Sequence, residues 1–219
     1  FFEAIAPSIR PGGVMVDLGS GLGKVVMSAA LAFPFERCIG VECLGYRHRM
    51  ASQRLHNLLV LAERGLAHLP TPLTPDAPLT LPFGQVATGS HLLDLASRIA
   101  FVEGDMFEVD VHAASLVFLY STCFGPFMDA IAGKLARELQ EGALVATTTY
   151  TLKHPAFTLL HYFPAGTVAW TNIMLYKRTG SLESLPPVDT TPPRQPDLAE
   201  WEVRVRQDLL AMDARARIL

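Results

Sequence analysis

Short apolar runs and longer amphipathic segments alternate along most of the chain. Apolar runs bounded by turn residues predict buried strands at 14–19, 37–42, 99–105, 115–121 and 143–150. Helical spacing predicts helices at 24–33 and 45–63. A third helix is predicted from a stripe that ends before Gly142, made of Phe127, Ile131, Leu135 and Leu139. This alternation predicts an α/β fold with a Rossmann-like, doubly wound sheet.

The pattern changes near the end of the main domain. Two further strand-like runs, 157–163 and 168–178, are separated only by Pro-Ala-Gly-Thr. So short a connection predicts a hairpin, and therefore an antiparallel strand at the edge of the sheet. We place the main domain at 1–178.

Two proline-rich stretches interrupt this organisation. Residues 65–89 are expected to form an exposed insertion, and residues 179–196 a linker. A terminal helix over 197–219 is then predicted, because Asp197 and Glu200 make a capping box ahead of apolar positions at helical spacing. Those positions are Trp201, Val205, Leu209 and Met212. We expect this helix to pack on the main domain or on a partner.

Composition narrows the function classes. Half of the 219 residues are hydrophobic, 18% are charged and the net charge is −3, so a large core is available and nothing attracts nucleic acid or membrane globally. The cysteines, 38, 43 and 123, lack CxxC spacing, which disfavours a disulfide scaffold or structural zinc and favours a reducing compartment. No apolar run of membrane-spanning length and no signal peptide is seen, although the chain begins at Phe1 without Met, so address signals could precede it.

A glycine loop follows the first predicted strand. Glycines 19, 21 and 23 stand where the strand must turn into a helix, which predicts positive φ and close approach of a ligand. The spacing is GxGxG, and Lys24 occupies the third-glycine position of a pyrophosphate site. Asp17 would repel phosphate and suits an ammonium group. The predicted cofactor-binding residues of this loop are Asp17, Gly19, Ser20, Gly21, Gly23 and Lys24.

Acids at the ends of the next two strands extend this site. Glu42 ends the second strand, where a carboxylate can accept both hydroxyls of a ribose. Asp105, at the end of the third, is expected to accept from an adenine amino group, while Met106 or Phe107 covers the ring. Amino acid, ribose and adenine together predict S-adenosylmethionine as the cofactor. A nucleotide oxidoreductase is disfavoured by the GxGxG spacing and by Asp17.

These residues resemble the class I S-adenosylmethionine-dependent methyltransferases over 1–178, on "VDLGSGLG", "GVE" and "EGD". A narrower resemblance is to the disruptor-of-telomeric-silencing (DOT1-like) family. It rests on "VDLGSGLGKVVMSAA", on Phe124-Gly125-Pro126 after the fourth strand, and on a Val-Ser-Trp-like element at Val168-Ala169-Trp170. The resemblance implies a seven-stranded sheet with a reversed last strand, and methyl transfer to a histone lysine of the nucleosome without a SET domain.

The chain departs from this family in the catalytic loop. The family carries two adjacent asparagines in this loop, whereas this chain has Tyr120 and Ser121 at the corresponding positions. We take Tyr120 and Ser121 as catalytic candidates. Tyr120 is expected to form an aromatic wall for the lysine stem or to direct its hydroxyl to the cofactor. A small mitochondrial-type protein-lysine methyltransferase and a catalytically weak S-adenosylmethionine-binding module remain alternatives.

An apolar channel would lower the pKa of a substrate lysine and so favour transfer. Its candidate walls are Tyr120, Phe124, Phe127, Tyr150 and Trp170, with Phe127 more typical of core. His154 and His161 are read as structural rather than as bases.

The expected partner is a protein substrate, with histone or nucleosome as the candidate that the resemblance implies, and neither a metal nor a membrane is expected. Arg47 and Arg54 share a helical face that is more typical of a solvated surface, and direct nucleic-acid binding stays open. The expected location is intracellular: nuclear if histones are the substrate, otherwise cytoplasmic or mitochondrial.

Overall fold

The computed structural model describes residues 1, 5–65, 79–80, 86–87, 89–167, 169 and 171–180. Within them the α-helices are α1 Lys24–Ala32, α2 Gly45–Gly65, α3 Gly89–Ser97 and α4 Met128–Glu138. The strands are β1 Val14–Leu18, β2 Arg37–Glu42, β3 Leu79–Thr80, β4 Val86–Ala87, β5 Ile99–Glu103, β6 Ala114–Leu119, β7 Leu144–Thr148, β8 Phe157–Phe163 and β9 Ile173–Arg178.

Seven of these strands form one sheet in the order β5-β2-β1-β6-β7-β9-β8. The first five in this order are parallel neighbours, and β9 runs antiparallel to both β7 and β8. The predicted doubly wound sheet with a reversed last strand is therefore confirmed. The carboxyl ends of β5, β2, β1, β6 and β7 meet along one edge, where open α/β sheets bind ligands.

The core lies on both faces of the sheet, because the central parallel strands are apolar along their whole length. The first core cluster packs β6 and β7 against α4, and the predicted stripe residues Ile131 and Leu135 of the helix and Leu139 just after it are all buried in this cluster. The second core cluster lies on the opposite face and includes Ala29 and Ala30 of α1. These small residues let the helix that follows the glycine loop approach the sheet closely.

Several boundaries differ from the sequence prediction. The fourth and fifth strands end at Leu119 and Thr148, because the chain turns sharply at the edge of the sheet; Ser121–Cys123 is a 3₁₀ turn. Helix α4 ends at Glu138, before Gly142, which serves a later turn with a φ of 88°. The last strand begins at Ile173.

The insertion holds more structure than its proline content predicts. β3 and β4 pair antiparallel within 65–89, and α3 follows directly before β5. The sequence analysis missed this helix, although its apolar residues Leu92 and Leu95 are buried. The predicted linker beyond Gly180 and the terminal helix lie outside the described residues. No helix in the described part of the chain has the length and apolarity to span a membrane.

Candidate active site

The glycine loop joins β1 to α1 at the carboxyl edge of the sheet. Its glycines 19, 21 and 23 have φ values of 77°, 55° and 76°, the left-handed conformation that glycine adopts at least cost. A Cβ at Gly19 would lie 2.7 Å from the Phe124 ring, and one at Gly23 would lie 2.4 Å from the Phe101 ring. A Cβ at Gly21 would meet nothing within 4 Å among the described atoms. Gly21 therefore faces open space, whereas Gly19 and Gly23 are each covered by a phenylalanine ring.

Glu42 ties the end of β2 to this loop. Its side chain is 4% exposed; Oε2 accepts the Gly21 N–H at 2.8 Å and Oε1 accepts the Leu44 N–H at 2.9 Å. The Cys43 thiol also donates to Oε1, at 3.8 Å, whereas Oε2 has a further lone pair. Glu42 can therefore hold the loop and still accept hydrogen bonds from a ligand.

Asp17 lies directly below the loop and is 2% exposed. Its Oδ1 has no hydrogen-bond partner among the residues that the structure describes. Burial, together with the negative charge of Glu42, raises the pKa of Asp17 from 3.8 to about 8. A buried carboxyl group without a cation in contact is costly, and a ligand with an ammonium group would relieve that cost.

The other predicted loop residues differ in exposure. Ser20 is buried, and its Oγ also lacks a partner within the described ranges. Its backbone N–H and that of Gly19 both donate to the Val41 carbonyl at 2.9 Å, which fixes the loop against β2. Lys24 is the exposed first residue of α1.

The segment after β5 completes the edge. Asp105 Oδ1 accepts the Phe107 N–H at 2.9 Å, and the Gly104 N–H donates to the Glu42 carbonyl at 3.1 Å. The terminal methyl of Met106 lies 3.9 Å from the Cβ position of Gly19. The structure thus brings the predicted cofactor residues of three strand ends together.

The catalytic candidates follow β6. Tyr120 is half-buried against the second core cluster. Ser121 is fully buried, and its hydroxyl donates to the backbone carbonyl of Thr148. The Ser121 hydroxyl is therefore engaged in joining β6 to β7, and catalytic roles for both residues remain predictions.

The candidate channel aromatics divide into two groups. Phe124 lies over Gly19, and Tyr150, 43% exposed, lies over Gly125, where a Cβ would be 2.9 Å from the tyrosine ring. Phe127 packs against the first core cluster, 6.5 Å from the Phe107 ring centroid, as its core reading predicts. Trp170, like Val168, lies outside the described residues.

The basic residues of α2 do not form one solvated face. Arg54 Nη1 donates to the Leu22 carbonyl at 3.1 Å, so Arg54 supports the glycine loop and the solvated-face interpretation is wrong for it. His154 Nδ1 accepts the Ala156 N–H, and burial with nearby Arg178 and Arg137 lowers its pKa.

Metal and disulfide chemistry have no support in the described part of the chain. No group of three or more His, Cys, Asp or Glu side chains there could hold a metal ion. The cysteines are free thiols.

The sequence analysis also missed polar groups at the end of β7. Thr148 is 1% exposed, and its Oγ1 has no partner among described atoms. Thr149 has a φ of 63°, a genuine outlier for a β-branched residue. The run of three threonines, 147–149, at the end of a buried strand was the available signal.

Comparison with known proteins agrees with this geometry. A family model described as "Histone methylation protein DOT1" matches residues 6–67, which is less than a third of the chain. A search of curated proteins found no significant match.

Solved structures share the fold at low identity. An RNA methyltransferase from Salinibacter ruber in complex with S-adenosyl-L-homocysteine is 18% identical, with a TM-score of 0.56 over 84% of this chain and 94% of that one. A putative methyltransferase from Escherichia coli is 13% identical, with a TM-score of 0.53 over 82% and 84%. The rRNA methyltransferase AviRa from Streptomyces viridochromogenes is 15% identical, with a TM-score of 0.53 over 84% of each chain. The chain has the class I methyltransferase fold.

Proposed function

We propose that this protein is an S-adenosylmethionine-dependent methyltransferase and that its acceptor is a protein lysine. The observation that carries the first part is the buried Asp17 carboxyl, with an unpartnered oxygen in the described structure, beside a loop whose Gly21 N–H donates to Glu42. An ammonium group at Asp17 and ribose hydroxyls at Glu42 satisfy both acids. A pyrophosphate would instead place negative charge beside Glu42 and would offer no ammonium group to Asp17.

The residues present fit this cofactor. Asp17 would bind the α-amino group, Glu42 the ribose, and Asp105 with Met106 the adenine. Ser20 has a buried, unpartnered hydroxyl in the same described loop, which a further polar ligand atom can satisfy. The open space at Gly21 leaves room for a ligand against the backbone. When bound, the cofactor supplies an electrophilic methyl group.

The protein's own contribution is to orient and desolvate the acceptor. Phe124 and Tyr150 place aromatic surface between the glycine loop and the end of β7. Such a surface excludes water and disfavours the protonated lysine, which must lose its proton before it reacts.

The lysine assignment is supported by the partial match to the histone methylation family over 6–67 and by Phe124-Gly125-Pro126 after β6. Two of the structural neighbours are RNA methyltransferases, so RNA is the alternative acceptor to test.

Two measurements test this proposal. S-adenosylhomocysteine should raise the Tm of the protein in a concentration-dependent way, whereas NADH should not. The protein is then incubated with methyl-labelled S-adenosylmethionine and either nucleosomes with total protein extract or total RNA.

We expect label in protein, on lysine by mass spectrometry, and strongly reduced labelling with the Asp17→Asn variant when the cofactor concentration is below its dissociation constant. Label in RNA alone would overturn the lysine assignment but retain methyl transfer. Cofactor binding without any transfer would identify a binding module, and no binding to folded protein would refute the proposal.

A further inference from the structure

Two buried polar groups without partners lie on the same face of the sheet. Side chains along a strand alternate between faces. In β1, Met15 packs into the second core cluster, and Asp17 follows it on that face. In β7, Ala146 packs into the same cluster, and Thr148 follows it there. Asp17 and Thr148 therefore present unpartnered oxygens on one side of the carboxyl edge, as far as the described residues extend.

The hydroxyl of Thr148 needs an explanation of its own. Buried hydroxyl groups are nearly always hydrogen-bonded, because desolvation without a partner is costly. Ser121 already donates to the Thr148 backbone carbonyl, so that contact does not satisfy Thr148 Oγ1. Thr147 differs, since its own hydroxyl donates to the Tyr150 carbonyl at 2.9 Å. The hydroxyls of Ser121 and Thr147 are therefore hydrogen-bonded, whereas the Thr148 hydroxyl has no partner among the described atoms.

The separation of the two groups suits the proposed reaction. Asp17 pairs in register with Phe118 of β6, and Phe118 pairs with Ala146 of β7. Two strand spacings place Ala146 roughly 10 Å from Asp17, and Thr148 lies two residues further along β7, so the backbone positions of Asp17 and Thr148 are roughly 12 Å apart. This distance suits a cofactor whose ammonium group contacts Asp17 and an acceptor amine that lies beyond the other end of the cofactor's amino acid side chain. Tyr120, at the end of β6, lies between them.

The backbone beyond Thr148 is strained and held from two sides. Thr149 keeps its left-handed φ while its Oγ1 lies 2.8 Å from Thr122 Oγ1 and 3.1 Å from Thr171 Oγ1. Strain of this kind persists where the surroundings fix it, and it is concentrated at functional sites. The hydroxyl contacts fix the direction in which the chain leaves Thr148.

We propose that Thr148 Oγ1 accepts a hydrogen bond from the acceptor amine, an inference that rests on the proposed function. The hydroxyl oxygen has two lone pairs, and one N–H donated to it leaves the nitrogen lone pair free to face the methyl group. As the N–C bond forms, the C–S bond breaks, its electron pair stays on sulfur, and the extra proton on nitrogen passes to solvent.

The test uses a probe that needs no acceptor. Sinefungin is a cofactor analogue in which a carbon replaces the sulfur and an amino group on that carbon replaces the methyl group, whereas S-adenosylhomocysteine has neither the methyl group nor this amine. Both affinities are measured by calorimetry for the wild type, for Thr148→Val and for Thr148→Ser. Thr158→Val, on the exposed strand β8, is the matched control.

We expect Thr148→Val to weaken sinefungin by about tenfold and to leave S-adenosylhomocysteine within about twofold. Thr148→Ser and Thr158→Val should bind both ligands as the wild type does. If Thr148→Val binds sinefungin as tightly as the wild type, the inference is wrong and the proposed function stands. If Thr148→Val loses both ligands in parallel, or Thr148→Ser weakens sinefungin equally, Thr148 has only a packing role. Failure of the wild type to bind either ligand would overturn the proposed function and the inference with it.

Discussion

Replacement of Asp17 by Asn gives a sharp prediction, because burial beside Glu42 raises the pKa of Asp17 well above its usual range. Asp17 has a pKa of about 8 without ligand, so most molecules carry it protonated at neutral pH. An ammonium ligand binds the ionised form, and binding must therefore release a proton from Asp17. The ligand's α-amino group belongs to a free amino acid, whose own carboxylate keeps it protonated over pH 6 to 8, so Asp17 sets the pH dependence of binding.

The magnitude follows from the pKa of Asp17. The fraction of ionised Asp17 rises about ninefold from pH 6 to pH 7 and a further fivefold or so up to pH 8. The affinity for S-adenosylhomocysteine should therefore rise about ninefold over the first interval and about fivefold over the second. At pH 7, about 0.9 proton should be released per ligand bound.

Calorimetry in two buffers of different ionisation enthalpy measures both quantities. Asp17→Asn should bind about 10- to 150-fold more weakly at pH 8, the loss of one charged hydrogen bond. The variant should release no proton and show a flat affinity from pH 6 to pH 7. A wild-type affinity independent of pH, without net proton release, would refute the pairing of Asp17 with an ammonium group.

Further predictions concern the same edge of the sheet. Without ligand, Asp17→Asn should remove a fall in the free energy of unfolding with rising pH. Because the pKa of Asp17 is higher in the folded than in the unfolded protein, Asp17 stabilises the folded state below about pH 4. This contribution falls by up to about 1.4 kcal/mol per pH unit as the pH rises to about 8. Thermal melts of the wild type and the variant at pH 5 and pH 8 measure the difference. Gly21→Ala should cost about 1 kcal/mol of stability, because its φ is positive, and should abolish S-adenosylhomocysteine binding. Gly23→Ala should destabilise the protein more, because its Cβ would lie 2.4 Å from the Phe101 ring. Equal effects of the two variants on stability would contradict the packing described. Tyr120→Ala should lower turnover more than cofactor affinity, and equal loss of both would assign Tyr120 to the cofactor side. Arg54→Met should weaken cofactor binding about threefold, because the Leu22 carbonyl in the glycine loop loses its hydrogen bond. Arg47→Met is the control. Unchanged binding in both variants would show that Arg54 does not support the loop.

The order of elements and the glycine loop were predictable from the sequence because their signals are local. Three glycines at alternate positions require a particular turn whatever surrounds them, and the strand ends that carry Glu42 and Asp105 follow from the apolar runs. Parallel strands then bring those acids to one edge without further information.

The contacts of hydroxyl groups were not predictable in this way. Ser121 and Thr148 are both small polar residues at strand ends, and only the register between β6 and β7 decides which hydroxyl is engaged. Helix α3 was missed for another reason, since it lies next to a proline-rich segment whose composition dominated the interpretation. The role of Arg54 depends on how α2 packs on the glycine loop, which its spacing on the helix does not specify.

The most direct test of the central claim is a crystal structure of the protein with S-adenosylhomocysteine. The account predicts the ligand's amino nitrogen within hydrogen-bonding distance of Asp17, its ribose hydroxyls on Glu42, and its sulfur directed towards the ends of β6 and β7. A ligand bound elsewhere, or one whose amino group does not contact Asp17, would contradict it.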